Sequence, residues 1–301
     1  MAQADAGIDL QGRGQLFRKI WNRVEASRAK PEAVREIVVM PYSEFERKVM
    51  YGDRDDAEEI VESLYSGDGF ILKRAYDQTF WDDLKSKATA YAEENDESFN
   101  KIYDDCADFH RVVGNDLSGN YGAHRIRHDW HFHPWNGDPL GLMEEADKRW
   151  RVFKVMSGNS PDEYVGNKAS DGIIDRYHIF HYPHGGGQIE THRDPTKNQK
   201  TIVIAFGSKR GVDYQSGGLY MVREDGTHLD CEPLIDQGDM GTCYANIHHG
   251  VETVDGGNEL DWSQDKGRWF FGLYSVDSDY KKDRDTIVGV GGQKPGARTT
   301  S

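Results

Sequence analysis

The segment RYHIFHYPHGGGQIETHRD, Arg176 to Asp194, closes on a histidine and an aspartate separated by one residue. An apolar and aromatic run leads into a glycine-rich turn, and a second short run ends at His192 and Asp194. Residues two apart on a strand point to one face, so this imidazole and this carboxylate can converge on a single point. A metal ion is the natural occupant of that point. Two ligands on one strand do not enclose an ion, so a third must arrive from elsewhere in the chain. The segment GDMGTCYANIHHGVETV offers His248 and His249, followed by Val251 and Val254 at a spacing that suits a strand packed into a core. Adjacent strand residues face opposite ways, so only one of the two histidines reaches the ion. Taken alone, HRDPTKNQK also reads as a polar turn, because Asp before Pro favours turn initiation.

Two histidines and one carboxylate on one face of an ion leave its other positions open, as in non-haem Fe(II) oxygenases. The ordered set His-x-Asp, a gap, His, then a basic residue on a late strand resembles the Fe(II)/2-oxoglutarate-dependent dioxygenase family. His192, Asp194 and His249 match the ligand positions, the family's spacing of hydrophobic residues after the last ligand selecting His249 over His248. Arg268 in GRWFFGLYSV matches the residue that pairs with the distal carboxylate of the co-substrate, with Lys266 as the fallback. The Tyr-Pro of HYPHGGG, the hairpin GGLYMVREDG and the GDM before the last ligand are similar too, so that the likeness runs from Asp175 to Val276. It implies Fe(II), 2-oxoglutarate and O₂ as cofactor and co-substrates, with succinate and CO₂ released as a small polar substrate is hydroxylated, desaturated, cyclised or epimerised. The carboxylate at Asp194, where halogenating relatives carry a small residue, argues against halogenation. A cupin-like metal-dependent isomerase or binding protein without O₂ chemistry is the alternative; it would keep the triad and have no need of Arg268.

Arg268 stands beside a run of aromatics, where a charge is costly to bury without a partner, and a guanidinium fork suits a carboxylate. Tyr182 matches a tyrosine that helps hold the co-substrate in some members, and it serves equally as an aromatic core residue. Gln188 is a weaker candidate for a polar contact near the iron. His124, His128, His131 and His133 lie close together in NYGAHRIRHDWHFHPWNGDP, but HxxHxH without cysteine matches no common structural zinc spacing. That stretch reads as a polar, aromatic loop in which Arg127 and His128 are candidates to face a substrate carboxylate.

Composition sets the frame for these residues. The chain of 301 residues, 37% hydrophobic, is long enough for one enlarged domain with a sizeable core. A net charge of -15 with no Lys/Arg-rich stretch argues against nucleic acid as a partner, and no run approaches the ~20 apolar residues of a membrane span. Three dispersed cysteines, Cys106, Cys231 and Cys243, read as free thiols in a reducing compartment, and the start MAQADAGIDLQGRG has no apolar run suited to a signal peptide. These features point to a soluble cytoplasmic protein.

The elements that must position the site follow from periodicity. Gly14 to Ala29, Asp55 to Tyr65, Gln78 to Asn95 and Leu142 to Met156 carry apolar residues at helical spacing, and Pro31 opens a further possible turn of helix. Phe70, Ile71 and Leu72 start a strand. Between Asp96 and Ser170 the periodicity fails, which suggests a wall or lid over the site. From Asp175 onward eight short strands are expected, beginning at Arg176, Gln188, Thr201, Gly218, Leu229, Gly241, Gly250 and Arg268. The fold class expected is a mainly β core, a double-stranded β-helix of jelly-roll, cupin-like form, flanked by N-terminal helices. The organisation expected is a helical segment 1–95, a wall insert 96–174, the β core 175–276, and a polar tail 277–301 mobile at its end.

Overall fold

The computed structural model describes residues 9–290. The tail end expected to be mobile and most of the leader MAQADAGIDLQGRG lie outside them. Helix α1 (Leu10–Ser27) starts where the Asp9 side chain accepts from the Gly12 amide, and buries Phe17, Ile20, Trp21 and Val24. Strand β1 (Ile37–Pro41) runs directly into α2 (Tyr42–Tyr51). The turn of helix expected at Pro31 does not form; Val34 instead bridges to Arg223, and Glu32 accepts from the His248 amide. Helix α3 (Arg54–Tyr65) is capped by Asp53 and carries Asp55 and Asp56 in its first turn, where the helix dipole favours them. Strand β2 (Gly69–Lys73) pairs parallel with β1, and α4 (Gln78–Glu94) follows, burying Trp81, Leu84 and Ala88.

The stretch expected to be irregular contains two strands. β3 (Phe109–Val113) and β4 (Arg125–Phe132) pair antiparallel, flanking the short turn α5 (Asn115–Ser118), before α6 (Met143–Met156). The loop reading of the histidine-rich segment is therefore corrected. RIRHDWHF alternates two side-chain sets, one toward a cavity and one toward α4, and that two-residue period defines a strand.

The remaining strands are β5 (Ile173–Pro183), β6 (Gln188–Arg193), β7 (Ile204–Phe206), β8 (Gly218–Val222), β9 (His228–Asp230), β10 (Met240–Cys243), β11 (His249–Glu252), β12 (Gly267–Asp277) and β13 (Val288–Gly289). Their order defines a jelly-roll double-stranded β-helix. One sheet runs β1-β2-β10-β7-β12-β5-β4, and the other β6-β11-β8-β9. Strand β4 belongs to both: His128 to Phe132 pair with β5, while Arg125 and Ile126 pair with β6. The helices pack outside, where Trp81 stacks on Phe271 and the Trp130 indole donates to the Ala88 carbonyl on α4. Two expected strands are shorter than their sequence suggested. Thr201 makes only a single bridge to Tyr244 ahead of β7, and Glu232 to Leu234 turn into a 3-10 helix after β9. Beyond β12 the tail returns so that β13 pairs with β6. No helix among the described residues is long and apolar enough to cross a membrane.

Candidate metal centre and co-substrate pocket

Antiparallel register places the chemistry. His249 on β11 stands opposite His192 on β6, with ring centroids 4.3 Å apart. Past the end of β6, the Asp194 amide donates to the Ala245 carbonyl, turning the carboxylate toward both rings. Asp194 Oδ2 lies 3.4 Å from His249 Nε2, and one donor atom from each of His192, Asp194 and His249 lies within 4.8 Å of the others. Each imidazole is held from behind: His192 Nδ1 is 2.8 Å from the Glu190 carbonyl, and His249 Nδ1 is 2.8 Å from the Ile247 carbonyl. A carbonyl can only accept, so both Nδ1 atoms carry hydrogen and both Nε2 lone pairs face the cluster. Burial and the neighbouring His249 ring lower the His192 pKa to about 3. For His249, burial works in the same direction, but the Asp194 carboxylate outweighs it and raises the pKa. His248, one residue earlier, is partly exposed and lies outside the cluster.

The cluster opens into a cavity of about 440 Å³. Strand alternation lines it: Arg125, Arg127, Asp129 and His131 come from β4, Arg176, His178, Phe180 and Tyr182 from β5, and Arg268, Phe270 and Tyr274 from β12. Arg268 and Tyr182 are cross-strand partners on neighbouring β12 and β5. Arg268 is only 3% exposed, which rules out a strand-end arginine in water. Its Nε donates to Glu232 Oε1 at 2.7 Å, and Glu232 also accepts from the Leu219 amide and from the Tyr214 hydroxyl. Gly218, at φ 109°, makes room for this carboxylate, since a Cβ there would meet Glu232 Cγ at 2.4 Å. The other edge of the guanidinium ends in a buried Nη2 with no partner. The Tyr182 hydroxyl accepts from Arg127 Nη1 at 3.2 Å.

Other candidates fall elsewhere. The Lys266 side chain is exposed, and only its carbonyl is used, by His181 Nε2. Gln188 accepts from Thr253 and does not line the cavity. The four clustered histidines do not converge. His124 contributes its backbone amide to Glu190, and His128 points away from the cavity, bonded to His110 at 2.9 Å and stacked on Trp130. His133 is fully buried beside Asp108, and only His131 faces the cavity. Of the pair Arg127 and His128, alternation leaves Arg127 alone at the cavity wall. Sequence reasoning missed Glu232, Arg125, Arg176 and His178. The period-two spacing of Arg125, Arg127, Asp129 and His131 was the signal for the β4 set; Glu232, in a turn after a short strand, carried none.

No protein-family model matches the sequence, and no curated protein does. Solved structures are similar in fold. A full-length Neurospora crassa thymine hydroxylase in complex with alpha-KG and thymine matches with a TM-score of 0.51 at 12% identity, over 85% of this chain and 89% of that one. A Pseudomonas putida prolyl-4-hydroxylase matches with a TM-score of 0.42 at 13% identity, over 73% and 97%. A Trichoplax adhaerens prolyl hydroxylase in complex with a hypoxia inducible factor peptide fragment matches with a TM-score of 0.46 at 12% identity, over 78% and 91%. The chain thus has the double-stranded β-helix fold seen in 2-oxoglutarate and Fe(II) oxygenases. Its particular version gathers two histidines and an aspartate in the cavity, with a buried arginine on β12.

Proposed function

We propose that this chain is an Fe(II)- and 2-oxoglutarate-dependent oxygenase that hydroxylates, desaturates, cyclises or epimerises a small polar molecule. The observation that carries the reading is the convergence of His192, Asp194 and His249 with both Nε2 atoms turned inward by backbone carbonyls. A donor set of two imidazoles and one carboxylate suits Fe(II) and leaves positions open for other ligands. The orphaned Nη2 of Arg268 suits one oxygen of the distal carboxylate of 2-oxoglutarate, with Tyr182 beside it. When bound together, iron, 2-oxoglutarate and O₂ supply the oxidising chemistry, the co-substrate leaving as succinate and CO₂.

The chain's own residues bind and orient. His192 and His249 present their Nε2 atoms on a two-strand ladder, and Asp194 supplies the charge that favours a dication. Glu232 fixes the rotamer of Arg268, so one guanidinium edge is ready for an incoming carboxylate. The aromatic wall of Phe180, Phe270 and Tyr274 keeps bulk water from the pocket.

The test is anaerobic addition of Fe(II) and 2-oxoglutarate to apo protein, followed by visible absorption. A weak metal-to-ligand charge-transfer band is expected in the wild type and absent in His192→Ala, Asp194→Ala and His249→Ala, which also lose bound iron. Iron bound at one per chain without the band would favour a cupin-like isomerase or binding protein. Full iron binding in any of the three variants would overturn the triad.

A further inference from the structure

Several cationic groups of the cavity wall have no ion-pair partner among the described residues. Arg111, Arg125 and Arg176 all line the cavity, and none makes an ion pair among the described residues. Arg125 is 5% exposed; its Nε donates to the Ala123 carbonyl, its guanidinium lies over Tyr121, and its Nη2 has no partner. Arg176 presents a shielded, unpartnered Nε. Beside them, His131 Nδ1 is shielded and unpartnered, and His178 Nε2 makes no hydrogen bond, lying 3.5 Å from Asp129 Oδ1. Burial lowers the pKa of Arg125 to about 10, with Arg127 acting in the same direction, and lowers that of Arg176 to about 10, with Arg284 acting likewise. A desolvated cation without a partner is costly, and a chain of net charge -15 has carboxylates to spare. Asp129, Asp279 and Asp285 share the cavity lining, but none forms an ion pair with Arg111, Arg125 or Arg176, and the donors left unfilled mark a place where a ligand supplies the partner.

Asp129, His131 and His178 also lie close enough to hold a second metal ion. The surroundings oppose one. Arg127 Nε is 2.7 Å from Asp129 Oδ1, so the only carboxylate of that group is already paired, and His178 is depressed by burial and then by Arg176, Arg127 and Arg125. The same field that repels a cation attracts an anion.

We propose that Arg176, with Arg111, His131 and His178 beside it on β3, β4 and β5, holds an anionic group of the primary substrate, a carboxylate or phosphate oxyanion, while Arg268 serves the co-substrate. This rests on the oxygenase reading for the identity of the second ligand. Arg176 stands six residues along β5 from Tyr182, the partner of Arg268, which is roughly 20 Å at about 3.3 Å per residue. One 2-oxoglutarate molecule seated on Arg268 does not extend that far. The triad lies near Arg125, whose strand partner is Ile189 on β6. A substrate anchored by its anion is thus held with its remaining atoms toward the metal.

The test titrates sodium sulfate, by calorimetry, into anaerobic protein saturated with Fe(II) and 2-oxoglutarate. One sulfate per chain is expected, weakened at least tenfold in Arg176→Gln, with partial recovery in Arg176→Lys. The charge-transfer band should persist in these variants, which also shows that they are folded; Arg111→Gln provides a further variant if Arg176→Gln melts early. No sulfate binding to the wild type, or equal binding in the variants, would overturn the proposal. So would a second equivalent of Fe(II) or Zn(II) in the wild type that is lost in His131→Ala and His178→Ala. Sulfate binding in a wild type that shows no charge-transfer band would keep the anion site and remove the oxygenase reading instead.

Discussion

Arg268 is a buried charge held by a single carboxylate. Glu232 neutralises it and occupies its Nε, so that the guanidinium is tolerated in an aromatic setting. Removing the partner should leave a buried, unpaired charge. Glu232→Ala is expected to destabilise the protein by about 3–5 kcal/mol in urea unfolding. It should also raise the 2-oxoglutarate concentration needed to develop the charge-transfer band, because Arg268 is no longer held. An unchanged requirement would show that Glu232 does not position Arg268. At this scale the sequence was informative about types and spacing: His-x-Asp, the histidine pair and an arginine set in aromatics were all visible in it. It was silent about Glu232, because a contact between residues thirty-six apart depends on how β8 and β9 of one sheet face β12 of the other. The identity of residues carries chemistry, whereas pairing across strands needs the register.

Among the elements, the long amphipathic helices and the later strands were legible because their periodicities are regular and their turns are marked by glycine. β1 and α2 were not, since IVVMP is short and passes into YSEFERKVMY with only a proline between. β4 was hidden for a different reason: arginines and histidines facing a cavity look like a solvent-exposed loop when hydrophobicity alone is followed. The end of β12 offers a test of how the tail is fastened. Asp277 accepts from Lys281, Asn198 and the Asp285 amide. Although burial pushes its pKa up, these partners bring it down to about 2 from the ordinary 3.8. A depressed carboxylate contributes stability that is present above the unfolded value and lost as pH falls through the folded one. Asp277→Asn should therefore cost about 1–2 kcal/mol near pH 6, allowing for solvent screening, and the gap from wild type should close as pH drops from about 4 toward 2. Urea unfolding at stepped pH values measures it; a gap that stays constant would mean that Asp277 acts through packing rather than charge.

For the whole molecule, ligands that bind only the folded state should raise its stability by mass action. Fe(II) with 2-oxoglutarate at roughly a hundred times its dissociation constant would add about 2.7 kcal/mol, seen as a rise of several degrees in melting temperature. The rise should vanish in His249→Ala, and an equal rise in that variant would place the ligand elsewhere. The fold as a whole follows from the succession of short strands after Asp175, but the junction between its sheets does not, because it depends on one strand changing partners partway along its length. β4 gives its first residues to β6 and its last to β5. It is therefore a hinge pin welded at both ends: the leaf bearing His192 and His249 cannot swing open against the leaf bearing Arg268 without breaking main-chain hydrogen bonds. In the oxygenase we propose, access to the chamber then falls to the segments at its rim, and the separation between the His192–Asp194–His249 cluster and Arg268 is set by the main chain.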